Sequence, residues 1–142
     1  MAITLEEVTT FANDWFHAVA SGATGDEQAK FHQHRDNRVF GGNGISFSLD
    51  EHHALHQQWK DERHVMGEFE ITKINEKPER VRVDGTVYWE ARNRQAADTD
   101  PLIKMVVGES WMIEKTTKGL TFILYISTTY HLLPGSAQPN FL

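Results

Sequence analysis

The sequence predicts an α+β protein: an antiparallel meander shaped like the wall of a cup, with helices supplied by the N-terminal half on one of its faces. Three observations carry that expectation. Residues 80–132 alternate apolar and polar side chains with period two, as long strands with one covered face do. Two stretches ahead of them open with capping boxes and continue with apolar residues at helical spacing. Helices first and a meander of strands afterwards place the helices on one face of the sheet and leave the other for a partner.

The first helix opens at Thr4-Leu5-Glu6-Glu7, carries the stripe Val8, Phe11, Ala12, Trp15, Phe16 and Val19, and stops at Gly22. Gly25 and Asp26 begin a short polar helix that reaches Phe31 and is expected at the surface. Residues 37–40 read as a short strand and Gly41-Gly42-Asn43-Gly44 as its hairpin turn, since the glycine spacing fits neither a P-loop nor a dinucleotide fingerprint. Ser48 to Glu51 is the second capping box, and its helix is expected to carry Leu49, His52, His53, Leu55, His56, Trp59 and Arg63. Strand is expected from Val65 onward, with Phe69 and Ile71 alternating against Glu68, Glu70 and Thr72.

The organising meander follows. Val81, Val83, Val87, Trp89 and Ala91 share one side of its first strand, opposite Arg82, Asp84, Thr86, Tyr88, Glu90 and Arg92. In the next, Met105, Val107, Trp111 and Ile113 share a side with a single acid, Glu109. The last has an apolar face of Leu120, Phe122, Leu124, Ile126 and Leu132, which assigns Leu124 to the covered interior and puts Ile123, Tyr125, Ser127 and Thr129 on the other face. Pro134, Gly135, Ser136 and Pro139 end regular structure.

At 142 residues the chain is expected to be a single domain, residues 1–142, with an ordered core over 4–132 and a tail over 133–142. A formal charge of −6 without a run of basic residues argues against nucleic acid or an anionic membrane as the main partner. There is no cysteine, which excludes disulfides, a thiol nucleophile and thiolate metal ligation, and fits the cytoplasm. No stretch approaches the roughly 20 apolar residues of a membrane span.

This order of elements, ending in strands that contain Val107-Gly108-Glu109-Ser110-Trp111, resembles the nuclear-transport-factor-2-like superfamily, its SnoaL-like members in particular. That resemblance implies a cone-shaped, curved antiparallel or mixed sheet wrapped around the N-terminal helices, often dimeric through the outer sheet face. It leaves activity open, because the superfamily holds isomerases, dehydratases, cyclases and hydrolases beside proteins that only bind or assemble. Ketosteroid isomerases place an acid on the penultimate strand, and Glu109 before Trp111 is similar; their base falls here at Gly41 and their helix-one tyrosine near Trp15 or Phe16. Scytalone dehydratases place a histidine after the third helix, and His64 is similar, whereas their partner aspartate falls near Ala20 or Ser21.

Glu109 and His64 are thus the candidate catalytic pair. Inside the cone, Glu109 is a carboxyl whose pKa burial raises; a salt bridge to Arg92, Arg94 or another cation on a neighbouring strand, or a bulge at Gly108 turning it outward, is the plainer alternative. His64 either moves a proton in the same cavity or sits exposed at a helix-to-strand junction. Trp15, Phe16, Trp59, Trp89, Trp111 and Leu124 are expected to line the cavity. His52 and His56 lie one turn apart and suggest a metal, but no set of four ligands at a known spacing accompanies them, so they are assigned to a solvated helix face and no metal is expected. The expectation is a protein that binds a small apolar molecule, either a lyase or isomerase that needs no organic cofactor or a non-catalytic binding or assembly domain, in both cases dimeric through its sheet.

Overall fold

The computed structural model describes residues 2–139. Helix α1 (Leu5–Ala20) starts with the Thr4/Glu7 capping box closed in both directions, and its buried stripe of Val8, Ala12, Trp15, Phe16 and Val19 lies in the concave face of the sheet. The short helix α2 (Gly25–Ala29) and helix α3 (Leu49–His56) are opened the same way, by Thr24/Glu27 and Ser48/Glu51. One sheet of six strands runs in the order β2-β1-β6-β5-β4-β3, with β1 (Arg38–Phe40), β2 (Ser46–Ser48), β3 (Trp59–Glu76), β4 (Glu79–Asn93), β5 (Ile103–Thr116) and β6 (Gly119–Leu132). It is mixed: β1 runs parallel to β6, with Val39 opposite Tyr125, the other pairings between these strands are antiparallel, and His32 adds an isolated parallel bridge to Phe122. The expected α+β cone is the fold observed.

Two boundaries differ from the sequence reading. Helix α3 ends at His56 rather than running to Arg63, and β3 begins at Trp59 rather than Val65. The reason is packing: Trp59 pairs with Asn93 and meets Trp89 edge-on at 4.8 Å, so the chain gains more as strand than as another helical turn. Residues 133–139 form neither helix nor strand, yet they pack back on β5: the Leu133 and Ala137 amides donate to the Lys104 and Leu102 carbonyls at 3.0 and 2.9 Å.

Bulges shape the cone, because an extra residue on one strand bends it and sharpens its twist. All of them fall on β3 and β6. β3 gains residues between Lys60 and Arg63, Met66 and Phe69, and Lys73 and Asn75; β6 gains Ile123 and Thr128 against an uninterrupted β5. Glycine allows the tight approach beside the second of these. A Cβ on Gly85 would lie 2.4 Å from the Glu68 carbonyl and 2.5 Å from the Phe69 ring, the ring that stacks on Trp111 at 4.9 Å.

Candidate functional site

The cone encloses a cavity of about 130 Å³ between α1, α3 and the upper sheet, comparable with the roughly 150 Å³ apolar cavity that accepts benzene. Its walls are Trp15 and Phe16 of α1, Leu55 of α3, Trp59 of β3, Val87 and Trp89 of β4, and Met105 and Val107 of β5. The β1–β2 hairpin, through Phe40, Asn43 and Ile45, forms one edge.

Glu109 and His64 both face this cavity. Glu109 stays on the inner side because β5 is unbroken; the bulge is on the strand opposite. Its partners are hydroxyls: Tyr125 donates to Oε1 at 2.6 Å and Ser127 to Oε2 at 2.8 Å. The two arginines considered as partners are engaged elsewhere. Arg92 binds Asp61 and the Asp100 carbonyl, and Arg94 binds the Gln57 and Trp59 carbonyls. Burial pushes the Glu109 carboxyl up to about 8, against the two hydroxyls that favour its anion, so it is mainly a neutral acid at pH 7. Burial likewise drives the Tyr125 phenol well above its ordinary value.

His64 lies flat on Phe16, ring centroids 4.6 Å apart, and is mostly buried. It is therefore not an exposed junction residue. Burial lowers its pKa to about 4, with Glu62 pulling it up and His56 pushing it down, so the ring is uncharged near neutrality. Its Nδ1 is buried and, among the described residues, without a hydrogen-bond partner; its Nε2 is 3.9 Å from Glu62 Oε2.

Trp15, Phe16, Trp59 and Trp89 line the cavity, but Trp111 and Leu124 do not. Trp111 sits in the core beneath it, between Phe69 and Tyr125. Leu124 pairs with Met112 on the outer face, because the extra residue Ile123 reverses the parity of β6. The same reversal turns Tyr125 and Ser127 inward, opposite Trp111 and Glu109, where the sequence reading had placed them outside.

His52 and His56 are not a solvated helix face either. His52 is buried, stacked on Trp15 at 5.8 Å with its Nδ1 2.9 Å from Gln28 Oε1, and its Nε2 meets His56 Nε2 at 3.1 Å. His56 Nδ1 contacts Glu62 Oε2 at 2.6 Å, and the Trp89 indole donates to the same oxygen at 2.9 Å. Glu62 is the residue that sequence reasoning missed altogether. Asp61, at φ 54 in the first bulge of β3, turns Glu62 inward on the same side as His64. Burial opposes its ionisation, but His56, His64 and the Trp89 N–H outweigh that and hold its carboxyl below the usual range. A correct start for β3 would have found it, because Glu62 and His64 are two residues apart on a strand. Among the described residues no group of three or more His, Cys, Asp or Glu is placed to hold a metal ion.

No protein-family model matches the sequence, and no curated protein matches it. Solved structures do. A candidate scytalone dehydratase from Novosphingobium aromaticivorans superposes with a TM-score of 0.71 at 12% identity, over 96% of this chain and 92% of that one. A candidate dehydratase of the nuclear-transport-factor-2-like family from Streptomyces avermitilis gives 0.69 at 11% identity, over 86% and 93%. The chain has the nuclear-transport-factor-2-like fold. A third such cone, a candidate calcium/calmodulin-dependent protein kinase II association domain from Xanthomonas campestris, gives 0.66 at 11% identity over 90% and 86%. At these identities the nuclear-transport-factor-2-like likeness is one of fold, so the reaction has to be argued from side chains.

Proposed function

We propose that the protein is a lyase or isomerase that moves protons with its own side chains on a small, largely apolar cyclic substrate. The supporting observation is that a neutral carboxylic acid, Glu109, and an uncharged imidazole, His64, face one apolar cavity from different strands. His64 takes a proton from a carbon beside a carbonyl, which suits a weak base because that carbon is already acidified. Glu109 donates its proton, held in place by Tyr125 and Ser127. In a dehydration the C–H electrons form the new double bond, the C–O bond breaks, and the hydroxyl leaves as water with the Glu109 proton. In an isomerisation of a β,γ-unsaturated ketone Glu109 instead protonates the far end of the dienolate, which re-forms the carbonyl with the double bond conjugated to it. The names of two solved neighbours, both candidate dehydratases, support the same class.

Incubation with cyclic ketones and β-hydroxy ketones in D2O, followed by proton NMR, tests this. Deuterium entering the α-carbon, or loss of water, is expected with wild type and abolished by Glu109→Gln and by His64→Gln. Binding of those ketones without exchange or water loss would overturn the catalytic reading and leave a binding cavity. We further propose that a second copy covers the outer sheet face, where Val106, Met112, Leu124 and Ile126 are only partly exposed. The association domain among the neighbours supports this.

A further inference from the structure

Gln28, His52, His56 and Glu62 form one buried line of hydrogen bonds whose directions fix its proton count. The Gln28 amide nitrogen donates to the Ala23 carbonyl at 3.1 Å, which also accepts His53 Nδ1 at 2.9 Å, so Oε1 is the Gln28 atom that faces His52 Nδ1. An amide oxygen only accepts, so His52 Nδ1 carries a proton. A second proton lies between the two Nε2 atoms. The third lies between His56 Nδ1 and Glu62 Oε2. That contact is off the best hydrogen-bond angle, but two lone-pair atoms do not approach to 2.6 Å without a proton between them.

Glu62 Oε2 already accepts the Trp89 N–H and its carboxyl is held below the usual range, so the third proton rests on His56, and three protons on two imidazoles make one imidazolium. His52 is the wrong place for the charge, being buried against Trp15 and Gln28, and burial holds its pKa well below the ordinary value. His56 is the right place, beside a carboxylate that also accepts the Trp89 indole N–H. The groups facing His56 are His52 of α3, Trp59, Glu62 and His64 of β3, and, through Glu62, Trp89 of β4. Gln28 of α2, which the sequence reading put at the surface, is buried behind His52.

We propose that Gln28 and His52 are positioning residues that hold His56 as an imidazolium paired with the Glu62 carboxylate, and that this pairing stops Glu62 from raising the basicity of the buried His64 beside the cavity. Without the His56 charge, Glu62 would act on His64 alone and make it more basic. The proton count stands apart from the catalytic reading of His64; only its consequence for turnover rests on that reading.

Nitrogen NMR of histidine-labelled protein, without substrate and at pH 7.5, tests this. His56 is expected to be protonated on both nitrogens, His52 on Nδ1 alone, and His64 on one nitrogen. Gln28→Leu removes the acceptor, so His56 should lose its second proton and the His64 protonation midpoint should rise by a unit or more from its starting point near 4. Gln28→Glu keeps an acceptor and should retain the wild-type pattern. A His56 with one bare nitrogen in the wild type overturns the proposal, and that measurement decides even if Gln28→Leu does not fold. A His64 midpoint unmoved in folded Gln28→Leu overturns the positioning role. The two failures separate cleanly: expected spectra without deuterium exchange sink only the enzyme reading, and exchange with a neutral His56 sinks only this one.

Discussion

Glu109→Gln is the most informative single substitution, because it removes one titration and little else. The amide oxygen still accepts the Tyr125 hydroxyl, and the volume is unchanged. In the wild type the Glu109 pKa rises from 4.5 unfolded to about 8 folded. The native state therefore binds the proton more tightly, and stability falls as pH rises between those two values, level below 4.5 and above 8. Integrated between pH 5 and 9, the loss is about 4 kcal/mol, of which roughly 2.5 has gone by pH 7. The glutamine variant lacks this slope. Urea unfolding of both proteins at pH 5, 7 and 9 should show the variant gaining on wild type by about that amount as pH rises, whatever constant offset the amide brings. Taking the difference cancels the histidines, which the two proteins share. Carbon NMR of the Glu109 carboxyl gives the midpoint directly. Parallel stability curves, or a midpoint near 4.5, would refute both the burial argument and the neutral acid that the chemistry needs.

Part of the acid limb belongs to the histidines, beside carboxylates such as Glu62 whose folded pKa is lowered. His32 and His64 each have a pKa lowered to about 4 by burial, so their contribution is present above 6.5 and lost as pH falls toward 4; His64→Gln should flatten that limb by at most about 3 kcal/mol in urea melts from pH 4 to 7. Gly85→Ala should cost about 1–3 kcal/mol in thermal unfolding, since its methyl would drive Phe69 off Trp111; an unchanged melting temperature would mean that β3 gives way freely. Leu124→Lys places a charge on the outer face and should reduce the light-scattering mass from twice the chain mass to that of one chain. A wild type already monomeric at micromolar concentration removes the idea of a second copy.

Much of the cone was legible because its signals are local. The Thr4/Glu7 and Ser48/Glu51 boxes are short-range chemistry, and both close as read. The alternation of Val81, Val83, Val87, Trp89 and Ala91 is the buried face of β4, and the parity of β5 carried Glu109 to the interior. What stayed hidden depends on partners far off in sequence. Gln28 reads as surface until His52, twenty-four residues later, turns it into a buried acceptor. The histidines of α3 read as solvated until Trp15 and Glu62 close over them.

The errors on the strands share one cause. Reading faces by period two assumes that each strand advances one residue for each residue of its neighbour, and β4 and β5 do so along their whole pairing. β3 and β6 do not. Each extra residue reverses the parity beyond it, so Ile123 exchanges the faces of Leu124 and Tyr125, and Thr128 restores the original parity for Leu132. The first bulge of β3 does the same around Asp61 and brings Glu62 beside His64. These are the strands on which the site depends: β6 supplies the hydroxyls that hold Glu109, and β3 the carboxyl group that meets His56. Bulges help a cone to curve, and the curvature that opens a cavity also redirects the side chains that line it. The residues hardest to assign from the pattern alone therefore lie where the sheet bends around the cavity.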